Sequence, residues 1–222
     1  MNRKTNILIL TFLASLFAWQ SVKAQTIPTD DSLAVLVNPA REHILPRRSV
    51  REFQPRPVEA AKVNLMLRAA MAAPTLRDMQ PWHFVVLNRR KDIEAYAGNN
   101  HHSEMIRGAQ VVIVVCGDTA RMAQGQSREA WVQDVSAATE NLLLAAHSMG
   151  LGAVWTTGYP VERKVGYIRQ RLGLPGNLIP LASVLIGYPA DNGQPKDEWA
   201  PAEISWGITA EGARGKKYTR RQ

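Results

Sequence analysis

Cysteine is nearly absent from this sequence, since Cys116 is the only one among 222 residues. No disulfide can therefore form within the chain, and a folded core or association between chains must stabilise it. Cys116 ends the apolar run of residues 111–115 and has no basic neighbour in sequence. This context indicates a small buried side chain rather than a nucleophile.

Several catalytic signatures are also missing. The sequence has no Gly-x-Ser-x-Gly elbow, no phosphate loop that ends in Gly-Lys-Ser/Thr, and no Gly-x-Gly-x-x-Gly after a strand. Their absence argues against an α/β-hydrolase, a P-loop nucleotidase and a Rossmann dehydrogenase. The scattered histidines lack metal-ligand spacing, so we predict no metal site. An enzyme built from this chain would depend on a bound cofactor for its chemistry.

The first 24 residues have the pattern of a secretory signal peptide. A basic start is followed by the apolar run of residues 7–19, and residues 22–24, Val-Lys-Ala, form a small-x-small cleavage site. The run is short for a membrane span, and the alternative is an uncleaved N-terminal anchor. We expect an exported, periplasmic protein without stable membrane insertion after cleavage.

Basic charge is concentrated at the two ends of the chain. Removal of residues 1–24 lowers the formal net charge from +8 to +5, and the last nine residues contribute five positive charges. The body between them is close to neutral and shows no basic face with interleaved aromatics, so we predict no nucleic-acid binding. We interpret residues 25–45 as an N-terminal arm, 46–207 as the folded domain and 208–222 as a basic tail.

Hydrophobic periodicity predicts a layered α/β or α+β domain. We predict helices at residues 39–45, 58–73, 127–148 and 161–172, with one or two more between 88 and 108, and strands at 82–87, 110–116 and 179–186. Four residues of the second helix should share a closely packed face: Leu65, Arg68, Ala69 and Ala72.

The helix of residues 127–148 is the longest predicted element. It would span about 33 Å and is apolar nearly all round in its second half, so it needs partners on several sides. We predict that Gly150 and Gly152 supply a C-cap and a sharp glycine-broken turn after it.

Two polar stretches are candidate binding sites. Arg47, Arg48 and Arg51, with Ser49 between them, offer guanidinium groups that suit a phosphate, although such a cluster can also be a solvated surface. Residues 74–82 hold polar groups between prolines just before a strand, and the alternative there is an ordinary connecting loop.

Four stretches occur in a fixed order between about Arg47 and Pro201: RRSVREF, AAPTLRDMQPWHFVV, DVSAATENLLLAAHSMGLGAVWTTGYP and LASVLIGYP. Together they resemble the FMN-dependent nitroreductase family. The resemblance implies an α+β fold, a nitroreductase-like three-layer sandwich whose central mixed, mainly antiparallel sheet is flanked by helices. It also implies an intertwined homodimer with FMN at the subunit interface, and we expect the long helix to meet the partner around Ala138, Leu142 and Ala145.

The resemblance also assigns cofactor contacts. The expected FMN-binding residues are Arg47, Arg48, Ser49, Arg51, Pro74, Thr75, Asp78, Gln80, Thr156, Thr157, Gly158 and Lys196. Among these, Asp78 and Gln80 would reach the flavin from the partner subunit, residues 156–158 would lie along the flavin with an amide facing N5, and Lys196 would close on the phosphate. Asp78 replaces an asparagine common in the family, and Glu198 stands near a position often held by arginine.

The implied activity is an FMN-dependent oxidoreductase. It would follow ping-pong hydride or electron transfer through flavin N5 to an electron-poor acceptor such as a nitroaromatic or quinone, with no catalytic side chain. NAD(P)H is the expected donor, although an exported protein would need an unknown donor because reduced nicotinamides are cytosolic. The alternatives are a non-catalytic flavin or small-aromatic binding protein and a specialised flavin reaction such as reductive dehalogenation.

Overall fold

One antiparallel sheet of four strands forms the centre of the computed structural model, which describes residues 42–99, 103–196 and 198–204. The strands are β1 (Trp82–Leu87), β2 (Val111–Asp118), β3 (Gly152–Thr157) and β4 (Leu178–Gly187), in the order β1-β2-β4-β3. The helices are α1 (Ala60–Met71), α2 (Arg90–Ala97), α3 (Ser103–Gly108), α4 (Ala130–Ser148) and α5 (Glu162–Leu172). Short 3₁₀ turns lie at Leu76–Asp78, Gly125–Ser127 and Pro201–Glu203.

The alternation of side chains along β2 builds two hydrophobic cores. Val111, Ile113 and Val115 pack into a core with α1 and α4, whereas Val112, Val114 and Cys116 pack with α2, α3 and α5. Burial raises the pKa of Cys116 to about 12, as expected for a small core residue. Helices therefore cover both faces of the sheet, and the predicted three-layer α+β class is confirmed.

All pairs among the four strands are antiparallel. The parallel component is one isolated bridge, from Ser49 to Ala153 of β3. This bridge lies at the outer edge of β3, which is the last strand of the sheet. The predicted mainly antiparallel sheet is thus confirmed, and its parallel contact comes from the segment that carries the arginine cluster.

The long helix α4 is the main support of the first core. Its 19 residues span roughly 28 Å, and eight of them are buried. It ends in a Schellman motif, in which the Gly150 amide donates to the His147 carbonyl, the Leu151 amide donates to the Ala146 carbonyl, and Gly150 has a φ of +75°. The predicted C-cap at Gly150 is confirmed, and α4 begins three residues later than predicted because Gly125–Ser127 forms a separate turn.

The sharp turn predicted at Gly152 is wrong, because Gly152 is the first residue of strand β3. The reason is close packing: a Cβ at Gly152 would lie 2.6 Å from the Cβ of Val50. Glycine is required here by the approach of another segment, which the local pattern does not reveal.

The predicted packing face of α1 is also wrong. The helix buries Val63, Met66 and Ala70, while Leu65 is 52% exposed. α1 runs antiparallel to α4, since Lys62 Nζ donates to the Met149 carbonyl and Asn141 Nδ2 donates to the Ala69 carbonyl. This pairing brings the loop after α1 to the N-terminal half of α4.

The expected contact of Ala138 and Leu142 with a second subunit is also wrong. Both residues are fully buried within their own chain, in the core between α4 and the sheet, and have no surface left for a second subunit. Ala145 and its neighbour Leu144 are half-buried and retain exposed surface.

Some predictions fall outside the described residues. These are the signal peptide at 1–24, the arm up to residue 41, His101 and His102, and the basic tail at 208–222. Of the predicted helix at 39–45, Glu42 and His43 are helical and a turn follows. In the described part of the chain, no helix has the length and apolar character needed to cross a membrane.

Candidate functional site

The arginine cluster lies on a segment that crosses one end of the sheet. The Val50 amide donates to the Ala153 carbonyl at 3.0 Å, and the Gln54 amide donates to the Tyr188 carbonyl at 2.8 Å. Val50 is buried against Gly152. Residues 47–54 are therefore fixed where β3 begins and β4 ends, which positions the predicted phosphate-binding residues on a rigid support.

Two of the arginines are held by carboxylates from other elements. Arg47 Nε lies 3.0 Å from Glu140 Oε1 of α4. Arg48 pairs with the Asp191 carboxylate and also donates to the Asp191 carbonyl at 3.0 Å. The Arg48 guanidinium lowers the pKa of Asp191 by hydrogen bonding. These contacts order both guanidinium groups and balance their charge.

Arg47 and Arg48 line one cavity of about 190 Å³. His147, from the last turn of α4, lines the same cavity, and Leu143 and Leu151 contribute apolar wall. Burial lowers the pKa of His147, and the positive charges of His43, Arg47 and Arg48 lower it further. The cavity thus combines cationic and apolar surface.

Three further residues that were predicted to bind FMN lie outside the lining of this cavity: Ser49, Arg51 and Lys196. Ser49 and Arg51 are exposed on the same segment, and Ser49 forms the bridge to Ala153. The Lys196 side chain is 83% exposed and lies 3.4 Å from Glu198. Lys196 follows the Asp191 contact in sequence, so the Arg48–Asp191 pair anchors the segment that carries it.

Strand β3 ends with Thr156 and Thr157, and Gly158 follows directly after it. The Gly158 amide donates to the Leu181 carbonyl at 2.8 Å, while the Ala153 carbonyl faces the outer edge and accepts from Val50. Because backbone groups of a strand alternate between its two edges, the Thr157 amide points to the open edge with that of Ala153. In this stretch the Thr157 amide thus faces the open edge, and the Gly158 amide is used within the fold.

Gly158 is required by the close approach of β4. A Cβ at this position would lie 2.7 Å from the Pro180 carbonyl oxygen. Thr156 is tied to the same strand, since its Oγ1 donates to the Ser183 carbonyl at 2.8 Å. The end of β3 is thus a fixed edge rather than a loose turn.

The loop before β1 has an unusual backbone. Arg77, Asp78 and Gln80 all have left-handed φ angles, of 51°, 55° and 47°. Non-glycine residues adopt this region rarely, and clusters of them are typical of functional sites. Pro74 is exposed and Thr75 is half-buried at the start of this loop.

Side-chain contacts hold this loop. Asp134 of α4 is 9% exposed, and its Oδ1 accepts the Leu76 amide at 2.9 Å. Thr75 Oγ1 accepts the Gln80 amide at 3.2 Å, and Gln80 Nε2 donates to Asp78 Oδ1 at 2.9 Å. The loop is therefore fixed to the N-terminal half of α4, whereas the arginine-lined cavity lies at its C-terminal end.

Comparison with known proteins identifies the family of this chain. The model of the nitroreductase family matches residues 44–105 and 94–188. The chain belongs to the nitroreductase family. Family membership confirms the resemblance of the four ordered stretches.

Relatives of the chain include a provisionally named NADH dehydrogenase/NAD(P)H nitroreductase of Methanothermobacter thermautotrophicus, 40% identical over 73% of this chain and 84% of that protein. A solved structure with the same provisional name, from Bacteroides thetaiotaomicron, is 42% identical with a TM-score of 0.71, covering 77% of this chain and 98% of that chain. A provisionally named nitroreductase of Desulfovibrio desulfuricans, solved in complex with FMN, is 30% identical with a TM-score of 0.68, covering 78% of this chain and 99% of that chain.

The residues of this chain fit the FMN that the nitroreductase family implies. The cavity wall formed by Arg47 and Arg48 suits a phosphate, because both guanidinium groups donate to anionic oxygen. The open edge at Thr157 offers a backbone amide to a flat ring system, and the close packing of Gly158 against β4 fixes the position of that edge.

Two residues of this site were not predicted from the sequence. One is Asp134, whose buried carboxylate holds the loop of residues 74–80. His147 was set aside with the scattered histidines, yet it lines the arginine cavity. Its position one turn after Leu143, on an otherwise apolar helix face, was the available signal.

Proposed function

We propose that this nitroreductase-family chain transfers electrons from a reduced nicotinamide to an electron-poor small molecule such as a nitroaromatic or quinone. Family membership confirms the predicted class, an FMN-dependent oxidoreductase. The observation that carries the proposal is the cavity lined by Arg47 and Arg48, in a fold shared with an FMN-bound relative. The nicotinamide donor is supported by the NAD(P)H in the name of the Methanothermobacter relative.

The roles of the residues follow from their positions. Arg47 and Arg48 would hold the phosphate by charge-assisted hydrogen bonds, and their carboxylate partners would keep the guanidinium groups oriented. The Thr157 amide would orient the ring edge, and the rigid β3 edge would keep the donor and acceptor in a defined position. When bound, FMN supplies two-electron chemistry that links hydride donation by the nicotinamide to reduction of the acceptor.

We further propose that two chains form a homodimer that completes each cofactor site. The cavity of about 190 Å³ is smaller than the roughly 300–1,000 Å³ typical of ligand pockets, so one chain supplies only part of the enclosure. Exposed apolar side chains that a partner could cover include Ile44, Leu45, Leu65, Met71, Trp199 and Ile204. Asp78 and Gln80 are exposed on their loop, so a partner cofactor could meet them there.

The proposed location is the periplasm, on the basis of the signal-peptide pattern of residues 1–24. Because reduced nicotinamides are cytosolic, an exported enzyme would require a different small-molecule donor. The electron donor is therefore NAD(P)H if the chain stays inside and another reductant if it is exported.

Purified mature protein is expected to be a yellow dimer. NADH or NADPH should bleach its flavin absorbance without oxygen, and nitrofurazone or menadione should restore it, with parallel lines in double-reciprocal plots. The measurements are an absorbance spectrum, the mass in solution and stopped-flow reduction. A yellow dimer bleached only by dithionite would reject the nicotinamide donor. A bleached protein that neither acceptor reoxidises would support a non-catalytic binder, and a colourless monomer would contradict both.

Asp78 should tune the reduction potential of the bound cofactor. Reduction adds negative charge to FMN, and an ionised carboxylate close to the ring disfavours that charge. Asp78→Asn is therefore expected to raise the midpoint potential by about 20 mV, measured by redox titration against indicator dyes. Glu104→Gln, which removes a carboxylate that is 92% exposed on α3, serves as the matched control. An unchanged or lower potential in Asp78→Asn would place Asp78 away from the ring.

A further inference from the structure

The proposed function assigns the phosphate to Arg47 and Arg48 and gives no role to His147, which lines the same cavity. We propose that His147 contacts the cofactor phosphate and that FMN binding draws a proton onto its imidazole. This inference rests on the proposed FMN site and adds to it a residue and a pH dependence.

The position of His147 favours an anion contact. It lies on the last turn of α4, where the helix dipole favours a positive charge, and it is half-buried. Leu143 lies one turn earlier on the same helix face and lines the same cavity, so this face of α4 borders the cavity together with the arginines. The glycine at the helix end, Gly150, also lines the cavity and leaves the approach open.

A bound phosphate would add negative charge to a cavity whose arginines are already paired, so a further cation beside it would be favourable. Arg47 is paired with Glu140, and Arg48 is paired with Asp191, so each guanidinium charge is already balanced. A phosphate monoester brings a charge of about −1.5 to −2 near neutral pH. Among the described residues that line this cavity, His147 is the one whose charge can change near neutral pH. A proton on its imidazole would offset part of the added charge.

The charged groups that surround His147 come from several elements. They are His43, Arg47 and Arg48 on the N-terminal segment, Glu140 on α4, Asp191 after β4, and Lys62 of α1, whose ammonium binds the Met149 carbonyl. Burial lowers the pKa of His147, and the neighbouring positive charges lower it further, so the free protein favours the neutral imidazole. An adjacent phosphate would act in the opposite direction and raise that pKa.

The sign of the pH effect follows from this change. A group whose pKa rises on binding strengthens the complex at pH values below its free-state pKa, and this gain is lost as the pH rises through the bound-state pKa. FMN should therefore bind more tightly near pH 6 than near pH 8.5 through His147. The second ionisation of free FMN, near pH 6, is the same for every variant and cancels in a ratio of dissociation constants.

The test measures flavin affinity on the apoprotein of the full mature chain. FMN dissociation constants of the wild type and His147→Gln are obtained from the change in flavin fluorescence at about pH 6 and about pH 8.5. We expect His147→Gln to weaken FMN binding about tenfold at the lower pH and clearly less at the higher pH. His83→Gln, at an exposed position on β1, is the matched control and should match the wild type.

Riboflavin separates a phosphate contact from general damage to the pocket, because it has the same ring without the phosphate. His147→Gln should leave its affinity unchanged. An equal loss for both flavins, an unchanged FMN affinity, or an FMN loss that stays constant between the two pH values would overturn the proposal. Wild-type protein that binds neither flavin would instead contradict the proposed function, so the two failures are distinguishable.

Discussion

Replacing Gly158 with alanine is expected to lower the free energy of unfolding by about 3 kcal/mol and to weaken FMN binding roughly tenfold or more. The new Cβ would lie 2.7 Å from the Pro180 carbonyl oxygen and 3.1 Å from the Leu181 carbonyl oxygen. Both are backbone atoms of β4, which is buried in the sheet and has little freedom to move. The end of β3 must shift instead, and the Thr157 amide shifts with it.

The matched control is Gly166→Ala. Gly166 lies within α5, and a Cβ there would meet nothing within 4 Å. Alanine should therefore leave FMN binding unchanged and stabilise the helix by up to about 1 kcal/mol. Chemical denaturation and flavin titration on both variants make the comparison. If Gly158→Ala kept wild-type stability and FMN affinity, the fixed β3 edge would not be part of the cofactor site.

The elements that sequence analysis predicted are those whose pattern is local. The apolar run of β2 gave a covered strand because every second side chain serves a different core. The spacing of α4 gave a buried helix, and Gly150 gave its end. The arginine cluster was also identified from sequence, because three guanidinium groups within five residues suit a phosphate, and two of them line one cavity in the structure.

The features that were missed depend on contacts distant in sequence. The glycines around Gly152 predict a turn where the structure has strand β3. Gly152 is needed instead because Val50, about a hundred residues earlier in the chain, packs against its backbone. The predicted packing face of α1 is largely exposed, because small residues indicate close packing but do not determine which side of the helix meets α4. The approach of one element to another decided each case, and no local pattern contains it.

The strained loop before β1 shows the same dependence. Nothing in residues 74–80 predicts the left-handed backbone at Arg77, Asp78 and Gln80, since none of these three residues is glycine. Each such residue is unfavourable by about 1–3 kcal/mol and persists only when surrounding contacts fix it. The contact that fixes this loop from outside is the Asp134 carboxylate.

Asp134→Ala is therefore expected to release this loop. The variant loses the acceptor of the Leu76 amide, which lies 2.9 Å from Asp134 Oδ1 in a site where the aspartate is 9% exposed. Loss of a partly buried, charge-assisted hydrogen bond should reduce the free energy of unfolding by about 1–3 kcal/mol. With the anchor gone, the left-handed residues relax, and trypsin should cleave after the exposed Arg77 faster than in the wild type.

Two variants separate anchoring from the loss of a charge. Asp134→Asn keeps a carbonyl oxygen that can accept the Leu76 amide, so it should restore most of the protease resistance. Gln133→Ala, at the exposed neighbour on α4, should leave cleavage at Arg77 unchanged. If the loop contributes Asp78 and Gln80 to the partner's cofactor, Asp134→Ala should also weaken FMN binding several-fold while Asp134→Asn retains it. Faster cleavage with unaltered FMN affinity would leave the anchor in place and remove the loop from the cofactor site.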